Sequence, residues 1–87
     1  MITDSLLEAE VEYQLTRLAI RARGAFNRSG LSYRKIADGM GVKSHAVVQR
    51  TVDMARPSNV TIATLVKFAR ACGCTLEVSF KPREVRK

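Results

Sequence analysis

Along the chain, apolar residues fall into four runs with helical spacing and one short run that alternates. The first run is Leu7, Val11, Leu15, Leu18, Ala22 and Phe26, spaced by three and four. It predicts one apolar face of a long helix. Ser5-Leu6-Leu7-Glu8 fits the S-x-x-E box that starts such a helix, and Ser29-Gly30, just past Arg28, fits its stop. Ser32 then stands where it can cap a short second helix with Ile36, Ala37 and Met40 inward, closed by Gly41. Ser44 is placed to cap a third helix, His45 to Met54. Val48 and Val52 lie one turn apart on its inner side, and His45, Ala46, Gln49, Arg50 and Asp53 spread round its outer side. After a Pro57-Ser58-Asn59 loop, Thr61 caps a fourth helix. Its apolar set is Ile62, Leu65, Val66, Phe68, Ala69 and Cys72, and Gly73 ends it. Last, Thr75 to Phe80 alternates Leu76, Val78 and Phe80 against Glu77 and Ser79, the pattern of a half-buried strand.

The predicted architecture is mainly α, four to five helices and a short C-terminal β-strand. Residues 1–80 form one domain and residues 81–87 a basic tail. Eighty-seven residues suffice for one core and not for two. No window approaches the roughly 18 unbroken apolar residues of a membrane span. The acidic N-terminus lacks the basic head and apolar run of a signal peptide. A cytoplasmic protein with no membrane association is expected.

Charge changes the picture more than composition does. The formal net charge is +7, and it is unevenly placed. Residues 1–12 hold four acids and no base; residues 13–87 hold fifteen bases against four acids, a net of +11. A basic body with a separate acidic end is the electrostatic footprint of a nucleic-acid binder. The bland alternative is a soluble basic protein with a solvated surface. RNA binding would want several exposed aromatics for base stacking, and most of the two tyrosines and three phenylalanines stand in the core pattern.

Catalytic chemistry has little to work with. The single histidine, His45, has no carboxylate or cysteine partner in any motif, and no glycine-rich loop for phosphates occurs, so no enzyme is expected. Cys72 and Cys74 stand as C-x-C, without the C-x-x-C pairs and further ligands of a metal site. Cys72 reads as a small core residue near a helix end and Cys74 as local packing; no metal or cofactor is expected.

Two short helices joined by a glycine turn, the second with a small-and-polar outer face, make a helix-turn-helix pattern. Ala37 is the small residue where the helices cross, and Gly41 tolerates the positive φ of the turn. The second helix needs an uncluttered start that can enter a major groove. With Val48 as its inward anchor, His45, Ala46, Gln49 and Arg50 are the candidates for base edges. Glutamine suits adenine, arginine guanine, and alanine a thymine methyl.

Here "GLSYRKIADGMGV", "SHAVVQR" and "NVTIATLVKFARACGCTLEVSF" resemble the lambda-repressor-like, Cro/Xre-type helix-turn-helix family. The matching elements are Gly30-Leu31-Ser32, Ile36-Ala37, Gly41-Val42, Thr64-Leu65 and Ala71-Cys72-Gly73, and the likeness covers roughly residues 18–80. The chain departs from the pattern in four places. The turn "GVKS" is one residue longer than G-V-S, and the loop after the third helix is about two residues longer. Val60 replaces a common proline, and residues 1–14 have no counterpart in the minimal domain. The resemblance implies phosphate contacts from Tyr33, Arg34, Lys43 and Ser44, although the Tyr33 ring has the alternative of packing on the first helix. Arg28, Lys35 and Arg56 are left as diffuse positive charge.

Together these features predict a DNA-binding regulator of transcription, a dimeric repressor of phage or mobile-element type acting on an operator in duplex DNA. The homodimer is expected to form through the strand residues Leu76, Val78 and Phe80. The second reading is an antitoxin, which would bind a toxin protein through the acidic N-terminal extension and repress its own operon.

Overall fold

The computed structural model describes residues 3–82, with side chains from Ser5 onward. Four helices follow one another: α1 Thr3–Ser29, α2 Tyr33–Met40, α3 Ala46–Thr51 and α4 Ile62–Ala71. The fold is mainly helical. At about 1.5 Å per residue, the 27 residues of α1 span about 40 Å, and they account for most of the 50 Å long axis of a body otherwise 24 by 20 Å.

Helices α2 and α4 are closed by the same two devices. At the start, the Ser32 hydroxyl accepts the Lys35 amide at 3.2 Å and the Thr61 hydroxyl accepts the Thr64 amide at 3.2 Å. Each satisfies an amide that would otherwise lack a partner in the first turn. At the end, Gly41 (φ 74°) and Gly73 (φ 80°) take the left-handed conformation. The following residue then reaches back across the last turn: Val42 N–H donates to Ala37 O at 3.1 Å, and Cys74 N–H to Ala69 O at 2.8 Å. The glycine amides donate to Asp38 O and Arg70 O. This is the Schellman closure, which brings the residue after the glycine onto the apolar face of the turn it closes. Val42 and Cys74 both pack against the core. Cys74 is thus the apolar partner of a helix end, as expected for local packing.

The core is built where these helices converge. Ile36 and Val48 are fully buried, with Ala37, Met40, Val52 and Phe68 around them and Ala22 and Ala25 contributed by α1. Helix α2 packs chiefly on α4 and also on α3, while α1 touches α3. Gly39 faces α4 so closely that a Cβ there would lie 3.0 Å from the Ala71 Cβ.

Several expectations are corrected. Ser5 lies inside α1, which starts at Thr3, so it is not the capping residue. The buried line on α1 is Ala19, Ala22 and Ala25, small residues that let the helices approach. Leu15, Leu18 and Phe26 are half-buried, and Leu7 and Val11 are exposed because the helix has run beyond the body there. On α4, Ile62 and Val66 face outward, and the interior takes only Leu65, Phe68 and Ala69. Helix α3 stops at Thr51 instead of Met54. The Asp53 carboxylate accepts the amides of Ala55 and Arg56 at 3.0 and 3.1 Å, a local turn that competes with further helix.

Among the described residues there is no β-strand, and Cys74–Phe80 carry no regular structure. A strand needs a neighbour for its backbone groups, and this chain offers only one such segment. The apolar side of that segment is correspondingly bare: Leu76 is half-buried, Val78 is 62% exposed and Phe80 97% exposed. Lys81 and Pro82 are exposed, and the rest of the basic tail, residues 83–87, lies outside the described residues.

Candidate nucleic-acid interface

The expected interface residues fall on α2, on α3 and on the five residues that join them. Val48 and Thr51 turn inward on α3, with Val52 behind them, and this fixes which way the helix faces. Thr51, the one buried polar residue here, satisfies its hydroxyl by donating to Val47 O at 2.8 Å. Gln49 and Arg50 on α3, and His45 at its cap, are exposed. Gln49 stands one turn above His45, its amide donating to His45 O at 3.0 Å. Ala46 and Asp53, expected on the outer side, are half-buried at its margins.

Ser44 acts two residues before the formal start of α3. Its hydroxyl accepts the Ala46 amide at 3.1 Å, while His45 occupies the capping position without a side-chain bond. This local turn uses the Ser44 oxygen as an acceptor and leaves its proton free to donate outward.

Arg34, Lys43, Ser44 and His45 are brought together round one shallow cleft of about 410 Å³, floored by Ala37. Asp38 stands at the same cleft, so its carboxylate offsets part of the charge of the two cations. Two cations, a hydroxyl and an imidazole around an open hollow suit an oxyanion such as a backbone phosphate.

Tyr33 links this cleft to α1. Its ring stacks on Phe26, centroids 4.7 Å apart and planes 18° from parallel, and lies 6.5 Å from the His45 ring. Its hydroxyl accepts a hydrogen bond from the Arg23 guanidinium at 2.9 Å. The Arg23 guanidinium also lies over the Phe26 ring, 5.5 Å from its centroid. Of the two roles open to Tyr33, packing on the first helix is the one seen, and the hydroxyl proton is still able to donate to a ligand. Arg23 was not among the sequence candidates. Nothing local flags it, because its partner is ten residues away on another helix.

The cysteines stand apart from this face. Both are free and half-buried against the core. Burial, with a smaller contribution from the neighbouring Cys74, pushes the Cys72 thiol above its ordinary value, which favours the neutral thiol. No helix among the described residues is long and apolar enough to cross a membrane.

No family model, no curated protein and no solved structure matches the chain. The site's chemistry rests on its own residues.

Proposed function

We propose that the protein is a sequence-specific DNA-binding regulator of transcription, a dimeric repressor of the Cro/Xre type from a phage or mobile element. In this reading α2 and α3 form a lambda-repressor-like helix-turn-helix, and α3 enters the major groove. The observation that carries it is the one-sided division of α3. Val48, Thr51 and Val52 anchor it while His45, Gln49 and Arg50 stand exposed beside the Arg34–Lys43–Ser44 cleft. Gln49 and Arg50 read adenine and guanine edges, His45 is a further candidate for a base edge, and Ala46 meets a thymine methyl. Arg34, Lys43, Ser44 and the Tyr33 hydroxyl hold the phosphates on either side.

The +11 charge of residues 13–87 supplies the long-range attraction and sets the test. A dimer making on the order of 6–10 phosphate contacts loses roughly 10³–10⁵ in affinity between 50 and 200 mM salt. Fluorescence anisotropy on duplexes from the protein's own promoter measures this. Failure to bind any such fragment at low salt would overturn the proposal. The homodimer forms through Leu76, Val78 and Phe80 of the C-terminal segment, which needs a second copy to supply the partner it lacks here. An antitoxin that binds a toxin through the acidic extension is the second reading, and the exposed, acidic start of α1 is what favours it.

A further inference from the structure

The N-terminal part of α1 projects from the body with its apolar stripe bare. Every residue from Ser5 to Gln14 is exposed, Leu7 by 60% and Val11 by 45%. Leu7, Val11 and Leu15 lie at i, i+4 and i+8, one above another on a single face. They continue the line along which Ala19, Ala22 and Ala25 meet the core. Glu8 and Glu12 follow the stripe one position on and flank it. Among the described residues, the shallow hollow along this face, about 570 Å³, is lined by α1 alone.

The C-terminal segment is complementary in three respects. It is apolar on alternate positions at Leu76, Val78 and Phe80 and ends in bases, four among residues 81–87 against one acid. The apolar groups at its end are as bare as those on α1. Its length also fits. Leu76 to Lys81, extended, covers about 20 Å, and Ser5 to Leu15, as helix, covers about 16 Å. Within one chain the two surfaces leave each other exposed, so they are not in contact there.

We propose that the acidic ledge of α1, Leu7–Val11–Leu15 flanked by Glu8 and Glu12, receives the apolar-and-basic C-terminal segment of a second copy of this chain. The exchange is reciprocal: each copy gives its C-terminal segment to the other's ledge, a two-fold arrangement that closes at two subunits instead of growing into a fibre. Phe80 and Val78 cover the stripe, and Lys81 faces Glu8 and Glu12; the bases that follow Lys81 in the sequence add positive charge to the same end. Two antiparallel ledges packed on each other would instead set Glu8 and Glu12 of one copy against those of the other, which like-charge repulsion disfavours.

The inference takes from the proposed function only the two-copy assembly, and its test contains no DNA. Two variants are made, E8K/E12K and K81E/R83E; Glu8, Glu12 and Lys81 are exposed. Each is followed by sedimentation equilibrium at low salt, alone and as an equal mixture. Each alone carries like charges at both contacts and should dimerise at least tenfold more weakly than the wild type. In the mixture one lysine ledge meets a glutamate segment and one native ledge meets a native segment, so the heterodimer should recover wild-type affinity. Wild-type dimerisation by either variant alone, or a mixture no tighter than its components, overturns the ledge assignment while leaving a dimeric regulator standing. A wild type that stays monomeric at tens of micromolar overturns both.

Discussion

The Arg23 guanidinium donates to the Tyr33 hydroxyl at 2.9 Å, tying the first turn of α2 to the middle of α1 beside the candidate DNA-binding face. The same guanidinium covers Phe26, on which the Tyr33 ring stacks, so arginine and the two rings form one small column. The column orients α2 relative to α1, and both of its rings pack against the edge of the core.

Tyr33→Phe removes the hydrogen bond and keeps the stack. It is expected to cost about 0.5–1.5 kcal/mol in urea denaturation. Tyr33→Ala removes both and should cost roughly 2 kcal/mol or more. Equal losses for the two variants would show that the hydroxyl carries the whole effect and the stack none.

The glycines separate backbone strain from steric contact. Gly41 and Gly73 have positive φ and open space where a Cβ would stand. Alanine at either is expected to cost about 1–2 kcal/mol through the left-handed conformation alone, and asparagine less than alanine. Gly39 has no such φ, but its missing Cβ would stand 3.0 Å from Ala71. Gly39→Ala gains about 1 kcal/mol of helix propensity against that crowding, so it should be near neutral. Gly39→Leu should lose roughly 2–3 kcal/mol by forcing α2 from α4. Thermal denaturation of these variants checks the order. A Gly41→Asn variant no better than Gly41→Ala would contradict the argument.

Helices α2 and α4 are legible in the sequence because their ends are local events. Ser32 and Thr61 bond to amides three residues on, and Gly41 and Gly73 close turns within five residues. The facing of α3 is legible for a related reason, since Val48 and Val52 mark its buried side one turn apart. What escaped depends on distance or competition. Asp53 sits in a helical pattern yet turns its carboxylate to the next amides and ends α3 early. Leu7 and Val11 continue the periodicity of α1 past the point where anything packs on it, and periodicity cannot say where the neighbours stop. The alternation of Leu76, Val78 and Phe80 describes a strand's faces but does not supply its partner. Arg23 escaped because its role exists only once α1 and α2 are placed together.

Cys72 offers a check on burial at the end of α4. Its thiol is pushed up from the ordinary value of 9.0 by burial first and by Cys74 second. A raised value in the folded state means that the neutral thiol stabilises the fold below the ordinary thiol range. That contribution is lost as the pH rises through the folded value. Alkylation of Cys72 in a Cys74→Ala background should therefore inflect at higher pH in the folded protein than in urea. Coincident inflections would mean that Cys72 is solvated.

Under the proposed function, sequence reading by α3 separates into base and phosphate contributions. Gln49→Ala and Arg50→Ala are each expected to relax discrimination at one position by about 1–3 kcal/mol. Lys43→Ala should weaken binding to all sequences alike and reduce the salt slope by roughly one unit. Random-site selection with each variant reads the difference. An unchanged motif for both α3 variants would mean that the exposed face of α3 is not the one that meets bases.

Under the proposed function, dimerisation and DNA affinity are coupled by geometry. One six-residue helix covers only a few base pairs, so a two-fold dimer must read two half-sites about one helical turn apart, roughly 34–36 Å. Inserting about half a turn of DNA, roughly 5 base pairs, turns the second half-site to the opposite side of the duplex. Affinity should then fall to that of a single half-site. Val78→Asp places a charge in the apolar C-terminal segment and should have the same effect on the intact operator without touching α3. On a duplex holding one half-site, the Val78→Asp protein and the wild type should bind with equal affinity at concentrations where both are monomeric. If the substitution weakens half-site binding as well, the C-terminal segment acts on the fold or on the DNA itself, and not through a second subunit.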